Sequence, residues 1–247
     1  MRIVIPPSHP VARPRAARHE GEHAVLDDLD VVVVAGPGAP WQLAALHAAV
    51  EADLGAGWRG GVYVVQDGVG ERPARDARRA LAAHHPLARR TLLALPRRLG
   101  ATAAMDLGLD EATGEWAALL DVATRPGLGT LGTLLDELHE HPGALWAAAP
   151  VPGCAVVRRR AFLEIGAFDP ALRDGQAVRD AAARAGTAGW ELRTAADARA
   201  RRELAGGAQR TARLRRPPGP TRRPWSRAAL EAWLPRARRA AVRVDLG

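Results

Sequence analysis

Short apolar runs rich in β-branched residues alternate along the chain with longer amphipathic stretches. The run at 30–34 (DVVVV) is typical of a strand buried on both faces of a parallel sheet. The stretch at 41–53 then has helical spacing, with Leu43, Leu46 and Val50 on one face. The same cycle predicts strands at 61–65, 91–95 and 116–120, and helices at 74–84, 101–113 and 128–141.

After Pro150 the pattern becomes less regular. It predicts a short strand at 155–157 and helices at 160–165 and 176–185, and an amphipathic segment begins near residue 226. We therefore expect an N-terminal arm (1–24) that contains a short strand at 2–5, one α/β domain (25–205), and a basic linker and amphipathic tail (206–247). Alternating strands and helices imply a mostly parallel sheet with helices on both faces. Ligands of such sheets bind at the carboxyl ends of the strands.

Composition limits the classes of function. The apolar fraction of 47% is enough for a sizeable core, and all 35 basic residues are Arg. The single cysteine, Cys154, excludes an internal disulfide framework and is expected to be a buried apolar residue. No apolar run reaches the roughly 20 residues of a membrane span, and residues 1–19 lack a signal-peptide pattern. A cytoplasmic location is therefore the expectation.

Positive charge is concentrated at the end of the chain. Residues 199–247 hold 14 Arg and three acidic residues, a net +11, which leaves −3 for the rest of a chain whose net charge is +8. From about Ser226, an expected helix N-cap, the apolar positions fall on one helical face, with a staple between Trp225 and Leu230. This face carries Leu230, Trp233, Leu234, Ala237 and Ala241. A helix for an anionic membrane surface and a solvated tail are both consistent with it. The acidic body disfavours nucleic acid.

The glycine-rich turn after the first strand does not fit a dinucleotide site. After Gly36 and Gly38, the third glycine position of the fingerprint is Trp41. Pro37 and Pro40 also remove backbone N–H donors that would surround a pyrophosphate. This pattern disfavours a Rossmann dehydrogenase.

Four other segments, in this order and spacing, carry a family resemblance. They are VVQDG at 64–68, RLGATAAMDLGL at 98–109, ATGEWAALLD at 112–121 and VRRRAFLEIGAFD at 157–169. Over about residues 29–203 the chain resembles the family 2 glycosyltransferases. The resemblance implies a GT-A-like nucleotide-sugar fold, with a mostly parallel central sheet flanked by helices and here a basic C-terminal extension.

The resemblance also implies a donor site for a nucleotide-diphosphate sugar. Its positions fall on Gln66, Asp67, Gly100, Asp106 and Asp121. We expect Asp67, Asp106 and Asp121 to line one cleft at one rim of the sheet. The family's Asp-x-Asp metal motif reads Asp121-Val122-Ala123, so only Asp121 remains as a metal ligand. A weak or absent site for Mn²⁺ or Mg²⁺ follows, with Arg125 or another Arg stabilising the leaving diphosphate.

The family's general base would follow the Phe168-Asp169 turn, where this chain has Asp174-Gly175. Asp174 is the expected substitute, with Asp169 and Asp180 as the other nearby carboxylates. The family's late histidine, expected near Arg201, is absent. Two interpretations stay open. One is a hexosyltransferase that uses Asp121 and Asp174 on a cell-envelope glycan or lipid-linked acceptor, with peripheral contact to the inner membrane face. The other is a catalytically silent relative that binds a nucleotide sugar, a glycan or a partner.

Overall fold

The computed structural model describes residues 28–36, 40–55, 58–68, 75, 79, 89–172, 174–202 and 226–245. The predicted strand at 2–5, the N-terminal arm and the linker at 206–225 lie outside these residues, as does all but residues 75 and 79 of the helix predicted at 74–84. The strands are β1 (Leu29–Ala35), β2 (Gly61–Gln66), β3 (Arg89–Ala94), β4 (Trp116–Asp121), β5 (Thr124–Pro126), β6 (Ala144–Ala148), β7 (Cys154–Arg158), β8 (Glu191–Thr194), β9 (Ala200–Arg202) and β10 (Val242–Asp245). The helices are α1 (Pro40–Leu54), α2 (Ala101–Glu111), α3 (Thr130–Glu140), α4 (Arg159–Glu164), α5 (Asp174–Thr187) and α6 (Arg227–Ala240).

Eight of these strands form one twisted sheet in the order β10-β3-β2-β1-β4-β7-β6-β8. The central strands β3, β2, β1 and β4 are parallel to one another, whereas β10 and β7 run antiparallel to their neighbours. All residues of β1 and β2 are buried, as expected for strands covered on both faces. The predicted fold class, a mostly parallel sheet flanked by helices, is confirmed.

Apolar cores lie on the two faces of the sheet. On one face α1 and α3 pack against alternate residues of the central strands, such as Val31 and Val33. On the other face α2, α4, α5 and α6 pack against the residues between them, such as Val32 and Val34. Small and aliphatic side chains fill most of both cores, with Phe162 and Phe168 stacked edge to face on the second.

The C-terminal segment is part of this body. Helix α6 begins at its predicted N-cap, where Ser226 Oγ accepts from the Ala229 N–H at 3.4 Å. Its apolar face buries Leu230, Leu234 and Ala237 against α2 and the Phe168 region. Strand β10 then pairs with β3 at the sheet edge. The apolar face that the sequence offered to a membrane is therefore covered by protein. The predicted staple partner Trp225 lies outside the described residues.

Within the part of the chain that the structure describes, no helix has the length and apolar character needed to cross a membrane.

Candidate functional site

The carboxyl ends of β2, β1 and β4 meet at one edge of the sheet. Val34 of β1 lies opposite Val65 of β2 on one side and opposite Asp121 of β4 on the other. The strand order reverses between β1 and β4, because β2 and β3 extend from one side of β1 and β4 continues on the other. Such a reversal opens a crevice where open α/β sheets bind ligands. Of the three aspartates expected to share this rim, Asp67 and Asp121 are placed at it.

Asp67 holds the loop that leads into α2. Its two carboxylate oxygens accept hydrogen bonds from the Leu99 N–H at 2.6 Å and the Gly100 N–H at 2.9 Å. Gly100 is the N-cap residue of α2 and has a φ of 104°, a conformation that favours glycine. Gln66, the last residue of β2, is also buried. The Asp67 carboxylate therefore fixes the backbone of the loop at residues 99–100 beside the end of β2.

Asp106 does not line the cleft, contrary to the expectation from the sequence. It is completely buried on α2, where one carboxylate oxygen accepts from the Phe168 N–H at 3.1 Å. The other oxygen has no hydrogen-bond partner among the described residues. Burial raises the pKa of Asp106 well above its ordinary value, so the protonated form is favoured. Asp106 supports the turn before Asp169 from inside the protein.

The same turn is held from the other side by Arg184 of α5. Its guanidinium donates to the carbonyl oxygens of Ile165 and Ala167 and pairs with Asp180 at 2.8 Å. Ala167 has a φ of 46°, which is uncommon for a residue with a side chain. Asp106 and Arg184 therefore fix a strained turn whose next residues are Phe168 and Asp169.

Asp121 is the most accessible of the predicted donor-site carboxylates, with 38% of its side chain exposed. One oxygen accepts from the Ala123 N–H at 2.8 Å, and the other lies 3.4 Å from Nη2 of Arg202. This contact follows from a small second sheet, in which β5 pairs with β9 and Thr124 lies opposite Arg202. The pairing brings a cation from a distant part of the chain to the end of β4.

Divalent metal does not fit the residues around Asp121. Ala123 supplies no ligand, and the hydroxyl of Thr124 is fully buried and donates to the Pro152 carbonyl oxygen at 3.2 Å. The described residues contain no group of three His, Cys, Asp or Glu side chains that could hold a metal ion. Mg²⁺ bound with phosphates is held by one or two carboxylates together with water and substrate oxygens. Among the described residues at this site the protein offers only Asp121 to such a set, and the Arg202 guanidinium already lies beside its second oxygen.

Arg125, named from the sequence as one candidate for the leaving diphosphate, points elsewhere. It is buried, and its Nη1 donates to the Val122 carbonyl oxygen at 2.6 Å. Arg202 occupies the rim instead. The sequence pattern did not single out Arg202, although it lies next to Arg201, the position near which the family's late histidine was expected. Arg98 is a second exposed cation at this edge. Its side chain covers Gly68, since a Cβ built on Gly68 would lie 2.1 Å from the Arg98 Cγ.

The region expected to hold a general base is only partly described. Asp174 is the first residue of α5, and its side chain lies outside the described residues. Asp169 is buried and accepts from the Ala171 N–H at 2.8 Å, and Asp180 is paired with Arg184. Both of these alternatives have internal partners, so Asp174 is the remaining candidate.

Solved structures match the fold, whereas no protein-family model and no curated protein matches the chain. The crystal structure of GalNAc-T7 with UDP, GalNAc and Mn²⁺ matches with a TM-score of 0.61 and 13% identity, over 71% of this chain and 43% of that one. The mannosyltransferase PcManGT from Pyrobaculum calidifontis, in complex with GDP-Man and Mn²⁺, matches with a TM-score of 0.59 and 20% identity, over 69% of this chain and 55% of that one.

The chain thus has the GT-A-like fold of these two transferases and spans about half the length of each. The TM-scores of 0.61 and 0.59 establish the fold, and identities of 13% and 20% leave the ligand to be argued from the site itself.

Proposed function

We propose that this protein binds a nucleoside-diphosphate sugar at the carboxyl edge of its sheet and transfers the sugar to an acceptor hydroxyl, as a divergent relative of the family 2 glycosyltransferases. The observation that carries the proposal is the pair of Asp121 and Arg202 at the switch point beside β1. A carboxylate accepts hydrogen bonds from sugar hydroxyls, and a guanidinium binds phosphate. A nucleoside-diphosphate sugar carries both groups.

The described rim residues then have distinct roles. Asp121, the partly exposed carboxylate of the site, accepts hydrogen bonds from hydroxyl groups of the donor sugar. Asp67 and Gly100 hold the loop under the nucleotide, and Gln66 borders it from the end of β2. Arg98, exposed above Gly68, adds positive charge to the same edge. The fold and this charge pattern support donor binding more directly than they support turnover.

Transfer requires a base for the acceptor hydroxyl, and we assign it to Asp174. The acceptor oxygen attacks the anomeric carbon, the bond from that carbon to the diphosphate oxygen breaks, and the hydroxyl proton passes to the Asp174 carboxylate. The nucleoside diphosphate leaves with the electron pair of the broken bond. Asp174 is the first residue of α5, one position before Gly175, where the resemblance places the family's usual base.

Release of nucleoside diphosphate tests this function. Donor sugars are incubated with glycan and lipid-linked acceptors, with and without Mn²⁺, and free UDP or GDP is quantified. Asp174→Asn should lower turnover by about a hundredfold while donor affinity stays within about twofold, as expected for a group that acts in the transition state. Equal loss of affinity and turnover would remove Asp174 from the role of base.

A catalytically silent protein is the second candidate, and one observation favours it. The usual base position is Gly175, while Asp169 and Asp180 already have internal partners. Such a protein would bind the donor or a glycan and release no diphosphate. Donor binding by calorimetry without any product, for every donor and acceptor tried, would select this function.

Membrane association is a proposal that now rests on charge alone. Residues 206–225 contain six Arg and no acidic residue, whereas the apolar face of α6 is buried. We propose that this segment brings a cytoplasmic protein to anionic lipid near its cell-envelope acceptor. Binding to anionic vesicles should then be lost as salt is raised. Binding that persists at high salt would require an apolar contact and would contradict a purely electrostatic attachment through residues 206–225.

A further inference from the structure

Arg202 combines three properties that separate it from the other arginines in the described part of the chain. It contacts a carboxylate at the switch point, about half of its side chain is exposed, and the strand that carries it is firmly held. Strand β9 pairs along β5, and the preceding Arg199 carbonyl oxygen accepts from the Gly127 N–H and the Thr130 hydroxyl. The guanidinium is therefore positioned by backbone bonds and still reachable by a ligand.

The pairing of Asp121 with Arg202 also weakens the one metal ligand that remains at the end of β4. The carboxylate that would hold a divalent cation already has a cation beside it, at 3.4 Å from Nη2. The pair is neutral, so it attracts a divalent ion less than a bare carboxylate does. An ion pair this exposed is weak and opens readily when a stronger anion arrives.

We propose that the Arg202 guanidinium takes the place of a divalent cation and binds the diphosphate of the donor without metal. The inference rests on the proposed function and identifies the group that neutralises the charge of the diphosphate. A guanidinium offers five N–H donors in a planar fork that matches phosphate oxygens, and it stays charged throughout the physiological range. As the diphosphate leaves, its growing negative charge is met by this fixed positive charge.

The first test measures binding of UDP, GDP and pyrophosphate to the full chain by calorimetry, in a chelator and in Mn²⁺. The native chain should bind at least one of them, with a dissociation constant that changes less than about twofold on adding Mn²⁺. Arg202→Gln should weaken binding by about tenfold or more, and Arg202→Lys, which keeps the charge and loses the fork, by less. Arg199→Gln, on an exposed neighbour, removes the same charge and should change binding less than about threefold.

A second variant asks whether the cation and the metal are interchangeable. Ala123→Asp combined with Arg202→His supplies a second carboxylate and an imidazole beside Asp121. Diphosphate binding by this double variant should depend on Mn²⁺, a change that loss of folding cannot produce. Circular dichroism and melting temperatures confirm that each variant is folded.

The outcomes separate the two proposals. If the native chain binds UDP or GDP only with Mn²⁺, or if Arg202→Gln binds as well as the native chain, the role of Arg202 is refuted, whereas donor binding by this protein stands. If the native chain binds none of the three probes in any condition, both are refuted.

Discussion

At the scale of single residues, three aspartates that the sequence assigned to one cleft lie in three different environments. Asp67 accepts from backbone N–H groups, Asp106 is sealed in the core, and Asp121 is partly exposed beside a cation. The sequence could place Asp67 and Asp121 at one edge, because both follow parallel strands. It could not place Asp106, because helical spacing alone does not say whether a polar residue faces the cleft or the core.

Replacement of Asp121 should separate binding from folding. Asp121→Ala removes a partly exposed carboxylate whose hydrogen bond to Ala123 is local, so the melting temperature should change by no more than about 2 °C. Donor affinity should fall by about tenfold or more, because the hydroxyl acceptor is lost. Calorimetry and thermal unfolding on the same preparation check both. Unchanged donor affinity would remove Asp121 from the site.

Replacement of Asp106 should change how stability depends on pH. The folded pKa of this carboxyl is raised by burial, so the folded state retains a proton that the unfolded state releases above about pH 4. Its contribution to the free energy of unfolding is complete below that pH and falls as pH rises toward the folded pKa, by up to about 1.4 kcal/mol per unit.

Asp106→Asn keeps an oxygen for the Phe168 N–H and cannot ionise. The difference in unfolding free energy between Asp106→Asn and the native chain should therefore shift in favour of the variant as pH rises from about 4 to 7. Urea unfolding at several pH values measures this. A difference independent of pH would show that Asp106 is ionised in the folded protein.

At the scale of elements, α6 shows what an amphipathic pattern leaves open. Its predicted apolar face is real, but periodicity cannot distinguish a protein partner from a membrane. In the structure Leu230 and Leu234 pack near Phe168, while Arg238 pairs with Asp110 and Glu111 of α2. The helix therefore supports the two elements that frame Asp106.

Truncation of a buried α6 side chain should destabilise the whole body. Leu230 is 2% exposed, so Leu230→Ala should lower the free energy of unfolding by about 2–4 kcal/mol. Arg236→Ala, on the exposed face of the same helix, is the matched control and should stay within about 0.5 kcal/mol. Urea unfolding decides. Equal small effects from both variants would mean that α6 is not held on the body in solution.

Whether the sequence predicted a strand depends on how apolar its own residues are. Strands β1, β2 and β4 are apolar runs that a sequence pattern identifies without knowledge of their partners. Strands β8, β9 and β10 are short and largely exposed, and their pairing partners are far away in the chain, so no local pattern marks them. The β5–β9 pairing also brings Arg202 to Asp121, and for that reason the sequence revealed the carboxylate and missed the cation.

At the scale of the whole molecule, the sheet and the C-terminal segment form one body. The sequence suggested that residues 25–205 could fold without the C-terminal segment, because the basic composition changes there. The structure instead places α6 over the second core and β10 on the free edge of β3. Composition describes charge and says little about where a segment packs.

A chain ending at residue 205 should therefore be poorly folded. It loses the side chains that cover Phe168 and α2, and it exposes apolar surface that the full chain buries. We expect a lower melting temperature by more than about 10 °C, or aggregation. Size-exclusion chromatography and circular dichroism of both chains test this. A truncated chain as stable as the full one would restore the boundary suggested by composition.

The pairing of β10 with β3 also has a consequence for biosynthesis. The Thr91 hydroxyl donates to Asp245, which lies 154 positions later in the chain. The edge of β3 therefore remains unpaired until β10 has been synthesised. At about 5–20 residues per second, translation of that interval takes roughly 8–30 seconds. During this time the nascent chain presents an open strand edge, which is a template for pairing with other chains. A chaperone that shields this edge on the ribosome should therefore raise the yield of native protein.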